Sequence, residues 1–156
     1  MSTLAHALAK CPLFKDFTDT GLNIIASIAT ERALPPGVPL FVENMVGDAF
    51  FLLKKGKVRI TVKGPDGMDQ PLAVLGEGEY FGELSLISPD SLRLVSAVAE
   101  QPSEVIEIRH ADFVKLQSQK PQACLKLILA IAQGFGKKMG ENRETLRSVL
   151  IAAVRR

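Results

Sequence analysis

Residues 50–62 read FFLLKKGKVRITV. Two runs of strand-forming residues flank Lys54-Lys55-Gly56-Lys57, a pattern that predicts a hairpin with Gly56 supplying a positive φ. The same grammar repeats outward from there. Between residues 34 and 108, short runs rich in Val, Ile, Leu and Phe are separated by Pro35-Pro36-Gly37, Gly47-Asp48, Gly64-Pro65-Asp66-Gly67, Gly76 and Gly78. Turn signals recurring about every 8 to 12 residues predict many short antiparallel strands that close into a small barrel or jelly roll.

Helical periodicity brackets this region. In TDTGLNIIASIATE (18–31), Thr18 is a capping residue, and Leu22, Ile25, Ala26, Ile28 and Ala29 fall on one helical face, which predicts a short N-terminal helix. The helical period returns after His110, over 112–118 and again over 121–133, with Pro121 suited to a first turn. Gly134, Gly136 and Gly140 are expected to interrupt it before a last amphipathic run at 141–154. The predicted fold class is mainly β with flanking helices: an antiparallel β-roll carrying a short internal helix. A single domain, 1–156, comprises N-terminal helices (1–33), the roll (34–109) and C-terminal helices (110–156).

Bulk properties narrow the function. The 156 residues carry 19 basic and 17 acidic side chains, a near balance that gives no whole-chain signal for nucleic acid. Cys11 and Cys124 lie far apart and match no metal or redox spacing, so both are expected to be reduced thiols. The opening MSTLAHALAKCPLF lacks the basic and apolar regions of a signal peptide, and no segment reaches membrane-spanning length. A soluble, cytoplasmic protein is expected. His6 and His110 have no ligand-like neighbours, and GEGEYFGE (76–83) lacks the lysine of a triphosphate loop. Neither an enzyme nor a metal or cofactor is expected.

A second stretch, FGELSLISPDSLRLVSA (81–97), is the candidate site. Glu83 follows a glycine, and Arg93 comes ten positions later with only Asp90 charged between them. A short helical turn over 84–87 would present backbone N–H groups that favour an anion, and Arg93 would add a planar cationic fork for phosphate oxygens. A carboxylate repels phosphate, so Glu83 needs a hydroxyl on the same ligand. A sugar phosphate satisfies both residues; an ordinary Glu83–Arg93 ion pair at a barrel edge is the other reading.

The residues from Gly37 to Arg93 resemble the cyclic-nucleotide-binding domain shared by catabolite-activator-type transcription factors, kinase regulatory subunits and nucleotide-gated channels. The resemblance rests on Gly37, Leu40, Phe41, Glu43, Gly47-Asp48, Phe50, Gly56, Val58 and Phe81-Gly82-Glu83-Leu84. It implies a β-roll with a phosphate-binding cassette at 82–95, in which Glu83 holds a ribose 2′-hydroxyl and Arg93 the cyclic phosphate. The ligand-binding residues would be Gly82, Glu83, Leu84, Arg93, Leu94 and Val95. One departure stands out: where the family carries small or hydroxyl residues after the arginine, this chain has Leu94 and Val95. Their bulk is expected to narrow the pocket, at about 1 to 3 kcal/mol. Leu94 also cannot accept from a guanine amine, so cyclic AMP is expected to bind better than cyclic GMP.

In GENRETLRSVLIAAVRR (140–156), Leu146, Val149, Leu150, Ala153 and Val154 form an apolar stripe, with Arg143, Arg147, Arg155 and Arg156 on the polar positions. The stripe reads either as packing on the chain's own barrel or as a helix that moves or dimerises. By the resemblance, the last helices cover the base and transmit occupancy, and no DNA-binding or catalytic domain is expected. The expected function is a stand-alone cyclic-nucleotide receptor that relays occupancy to a separate protein effector, with a homodimer through the C-terminal helix as a further expectation. The alternative is a β-roll that binds no nucleotide and serves as a protein-interaction module.

Overall fold

The computed structural model describes residues 1–155, so Arg156 of the C-terminal basic set lies outside the described residues. Helix α1 (Thr3–Ala9) is capped by Ser2, whose Oγ accepts from the Ala5 amide at 3.1 Å. A 3-10 turn at Pro12–Phe14 leads to α2 (Asp19–Ala26), capped as expected by Thr18, whose Oγ1 accepts from the Gly21 amide at 3.1 Å.

The helix expected through residue 31 ends early. Ala29–Leu34 is strand β1, paired along its length with β8 (Ser103–Arg109), so Ala29 lies opposite Ile108 and faces no helix partner on its own element. Alanine and isoleucine fit either period; the ladder to a buried strand decides. The remaining strands are β2 (Pro39–Phe41), β3 (Ala49–Lys55), β4 (Val58–Lys63), β5 (Asp69–Leu75), β6 (Tyr80–Phe81) and β7 (Ser96–Ala99). They form two antiparallel four-stranded sheets, ordered β1-β8-β3-β6 and β2-β7-β4-β5.

The expected hairpin at 50–62 is corrected by this order. Gly56 does have a positive φ of 102°, but β3 pairs with β6 and β8 whereas β4 pairs with β5 and β7. The turn carries the chain from one sheet to the other. A Cβ on Gly56 would overlap the Ser103 side chain, so the crossing point presses against the start of β8, which holds the place a hairpin partner would take. The real hairpin is β4–β5, turning through Gly67 at φ 76°.

Alternation along β3 divides the interior. Phe50 and Leu52 join Ile106 and Ile108 in packing against the helices, while Ala49, Phe51 and Leu53 point between the sheets with Val58 and Val105. A strand covered on both faces reads as one unbroken apolar run, which is what FFLL is.

Four more helices follow: α3 (Leu84–Ile87), α4 (His110–Gln119), α5 (Pro121–Glu141) and α6 (Arg143–Val154). Pro121 occupies the first turn of α5 as expected. The expected interruption at Gly134, Gly136 and Gly140 does not occur, because α5 runs through all three and the chain breaks at Asn142. Each glycine costs a helix about 1 kcal/mol against alanine, less than burial of Cys124, Leu127 and Ile131 contributes to holding it. The apolar stripe of α6 is not packed on the barrel either; α6 has no buried residue among those described. Cys11 and Cys124 are free and buried, and burial lifts the Cys11 thiol to about 11, which keeps it protonated and unreactive. Among the described residues, no helix is long and apolar enough to cross a membrane.

Candidate functional site

The site grows from the segment between β6 and β7. Gly82 follows β6 at φ 75°, a conformation that turns the chain sharply into α3 and that a side chain would strain. His110 fixes α3 from below. Its Nδ1 lies 2.6 Å from the Leu86 carbonyl, an acceptor only, so Nδ1 carries the proton and donates. The amides of Ser85 and Leu86 are engaged by the Gly82 and Glu83 carbonyls, which leaves fewer free N–H groups at this helix end than the sequence suggested.

Arg93 is held twice over by the loop between β2 and β3. Its amide donates to Met45 O at 2.7 Å, and its carbonyl accepts from the Asn44 amide at 2.8 Å. Glu43, part of the motif that carries the resemblance, is structural: its carboxylate accepts from the Lys63 amide at 2.7 Å, and its own amide donates to Ser96 Oγ at 2.9 Å. The Arg93 guanidinium then lies in a slot between glycines. A Cβ on Gly47 would overlap Arg93 Nε and Ser85 Oγ, and one on Gly82 would overlap Arg93 Nη1. Phe41 forms the floor, its ring centroid 4.1 Å from Cζ.

The electrostatics of that slot are unusual. Arg93 is only 8% exposed, yet its Nη2 donates to a single backbone acceptor, Ala49 O at 2.8 Å, and its Nε has no partner. Among the described residues it forms no ion pair. Burial lowers its pKa, opposed by the carboxylates of Asp48 and Glu83, but an arginine remains charged. A buried cation with unfilled donors is costly in a fold and useful to an anion.

Glu83 has a different partner. It is 9% exposed, and its Oε1 accepts from Lys138 Nζ of α5 at 3.2 Å. The Glu83–Arg93 ion pair weighed from sequence is therefore absent among the described residues; each charge faces the same space from its own side. That space is a cavity of about 360 Å³, within the range of small-molecule sites. All six residues expected from sequence, Gly82, Glu83, Leu84, Arg93, Leu94 and Val95, line it. Leu94 and Val95 do not close it: Leu94 leans outward at the rim, 76% exposed, and Val95 packs toward the interior between the sheets.

Sequence reasoning missed the opposite wall. Ile60 and Leu75 come from the β4–β5 hairpin, Tyr80 from β6, and Phe135 and Lys138 from α5. The alternating Ile60 and Leu75 carried a strand signal but none for a site. Gly134 was the available clue to the others, since a Cβ there would overlap the Tyr80 hydroxyl, so α5 approaches the site only because that position is bare. A larger cavity, about 470 Å³, opens between α1 and the end of β3, but Lys54 there is already paired with Glu31 at 2.7 Å and with Glu104 at 3.9 Å.

Comparison with known proteins bears on the family and the fold. The sequence profile of the cyclic nucleotide-binding domain matches residues 31–120. A cyclic AMP receptor protein from Thermus thermophilus is 32% identical over 122 residues, covering 78% of this chain and 56% of that protein. A cAMP-dependent protein kinase regulatory subunit from Yarrowia lipolytica is 30% identical over 109 residues, 70% of this chain and 28% of that one. The chain thus spans about half the length of the first relative and less of the second. Among solved structures, the Thermus thermophilus catabolite activator protein superposes with a TM-score of 0.78 at 29% identity, over 88% of this chain and 62% of that one.

Proposed function

Since the chain belongs to the cyclic nucleotide-binding domain family, we propose that it is an intracellular receptor for a cyclic nucleotide, preferentially cyclic AMP, and that its C-terminal helices relay occupancy to a protein effector. The observation that carries this reading is Arg93: a guanidinium 8% exposed which, among the described residues, has an unpartnered Nε and forms no ion pair. A cyclic phosphate supplies the missing acceptors, and a charge-assisted hydrogen bond of this kind contributes about 1.5 to 3 kcal/mol.

The other contacts follow from chemistry. Glu83 accepts the ribose 2′-hydroxyl. Ile60, Leu75 and Phe135 offer the base an apolar bed with no fixed hydrogen-bond pattern. Leu94, at the exposed rim, offers a guanine amine no acceptor, so cyclic GMP gains no contact there that cyclic AMP lacks. The exposed stripe of α6, Leu146, Val149, Leu150 and Val154, is the surface through which a second copy or the effector would be engaged.

Calorimetric titration of the full chain with cyclic AMP and cyclic GMP tests the proposal. Saturable binding of one nucleotide per chain is expected, tighter for cyclic AMP, with Leu94→Thr narrowing the gap. Absence of binding by either nucleotide would favour the second reading, a nucleotide-free interaction module, for which the occupied Glu83 and the bare face of α6 speak.

A further inference from the structure

The second cavity, about 470 Å³, lies at the end of β3 remote from Ala49, whose carbonyl holds Arg93, and its size is that of a small-molecule site. It shares no lining residue with the cavity around Arg93. Two local devices build it. Positions 3, 6, 7 and 10 fall on one face of α1 and its C-cap, so Thr3, His6 and Lys10 line one wall. On the opposite wall the pairing of β3 with β8 shifts register between Leu53 and Lys55, which makes Lys54 an extra residue. In a regular strand consecutive side chains point to opposite faces; this bulge brings Lys54 and Lys55 to one cavity, over the buried Leu53. The turn between β5 and β6 closes the end and contributes Glu77. It passes close under α1 because Gly78, at φ 84°, is bare where a Cβ would lie 3.2 Å from the Lys10 carbonyl oxygen.

The charges of this lining are not all matched internally. Lys54 is engaged by Glu31 and Glu104, at 2.7 and 3.9 Å. Lys10 and Lys55 form no ion pair among the described residues, and Glu77 is the one lining carboxylate left unpaired there. Two ammonium groups against one carboxylate leave a net positive charge. His6 adds a directed nitrogen. Its Nδ1 donates to the Ser2 carbonyl at 2.9 Å, so Nε2 accepts from a hydroxyl when the ring is neutral and donates to an anion when it is protonated.

These groups select a ligand class. Lysines are compact point charges suited to phosphate, and a phosphomonoester, with about 1.5 to 2 negative charges at pH 7, matches two ammonium groups better than a monoanion does. Glu77 repels such an anion and therefore needs a hydroxyl on the same ligand. We propose that this cavity is a second ligand site, for a small hydroxyl-bearing phosphomonoester of the sugar-phosphate kind: Lys10 and Lys55 hold the phosphate, and Glu77 and His6 take the hydroxyls. The site stands apart from the cyclic-nucleotide reading, and a chain that failed to bind cyclic nucleotides would leave its test intact.

The chain has two histidines, and they report on the two cavities separately. His6 lines this one, whereas His110 holds α3 beneath the other. The test is titration of the full chain with glucose 6-phosphate, followed through the ring resonances of both histidines by NMR. The His6 signals are expected to shift to saturation while His110 stays still, in the absence of nucleotide and equally at saturating cyclic AMP. A Lys10→Met/Lys55→Met double variant should bind about tenfold or more weakly with an unchanged melting curve, both side chains being exposed and unpaired. Glucose should move nothing, and inorganic phosphate should bind more weakly than the sugar phosphate. His6 signals that do not move, or that drift without saturating, would overturn the site, as would undiminished affinity in the double variant. Equal affinity for inorganic phosphate would overturn the hydroxyl-bearing ligand, and a shift of His110 alone that cyclic AMP abolishes would put the phosphate on Arg93 instead.

Discussion

Helix α5 is two helices in physical terms. Its first part, carrying Cys124, Leu127 and Ile131, is embedded among α1, α2, α4 and the outer face of the β3 sheet. Its second part runs along the rim of the cavity, lining it through Phe135 and Lys138 while Gly134 lies against the Tyr80 hydroxyl, and hands on to α6, which has no buried residue among those described. The hydrogen-bonded spine is continuous, but the energy that holds it is not. A segment with few buried contacts can be repositioned at small cost, and a ligand can shift only an equilibrium whose two states lie that close. The anchored part supplies a fixed reference, and under the proposed function the rim part is where occupancy would be felt.

The strongest way to break this contrast is by truncating one apolar side chain in each region. Leu127 is 0% exposed and Leu150 is 66% exposed. Leu127→Ala is expected to destabilise the chain by about 2 to 5 kcal/mol, the range for a buried leucine that leaves a cavity. Leu150→Ala should stay within about 0.5 kcal/mol. Denaturant titration of both variants reads the difference directly. A comparable loss for Leu150→Ala, above all one that varies with protein concentration, would mean that α6 is covered in solution by a second copy.

The next effect separates stability from affinity. Arg93→Ala removes the group with unfilled donors, so cyclic AMP binding should fall by about 2 to 3 kcal/mol, or roughly thirty- to 150-fold. The fold should lose less than the ligand does, since in the free chain the guanidinium makes a single hydrogen bond, to Ala49 O. Calorimetry with a parallel melting curve checks both halves. Unchanged affinity would sink the phosphate role of Arg93 while leaving the fold argument intact.

Legibility in the sequence followed the same division. The cassette was readable because its residues are contiguous: Gly82 through Val95 carry both charges, the turn and the short helix in one stretch, and all six expected residues line the cavity. The opposite wall was not, because Tyr80, Phe135 and Lys138 come from distant elements, and Lys138 in the sequence is one of two adjacent lysines on a polar face. The false hairpin has the same origin. Lys54 to Lys57 form a good local turn, but which sheet receives β4 is decided by β8, nearly fifty residues on. The four consecutive apolar residues from Phe50 to Leu53 did hold the clue, since a half-buried hairpin strand would alternate. Local propensity likewise read three glycines as a break in α5, where packing of the first part and the bare approach to Tyr80 override it.

Those glycines provide the smallest and sharpest test. Gly136 lies in the interior of α5, and a Cβ built on it meets nothing within 4 Å. Gly136→Ala should therefore stabilise the chain by about 0.5 to 1 kcal/mol, through helix propensity and a less disordered unfolded state, with ligand affinity unchanged. Gly134→Ala has the same propensity gain available but drives its methyl group into the Tyr80 hydroxyl. Either the ring or the helix must give way, and both carry groups that line the cavity, Tyr80 on one side and Phe135 with Lys138 on the other. The expected outcome is a cancelled stability gain together with weaker cyclic AMP binding, read by melting curves and titration on the same samples. If both alanines stabilise equally and neither alters affinity, the rim part of α5 does not depend on its close approach to the site, and the division of the helix drawn from its burial would have no functional counterpart.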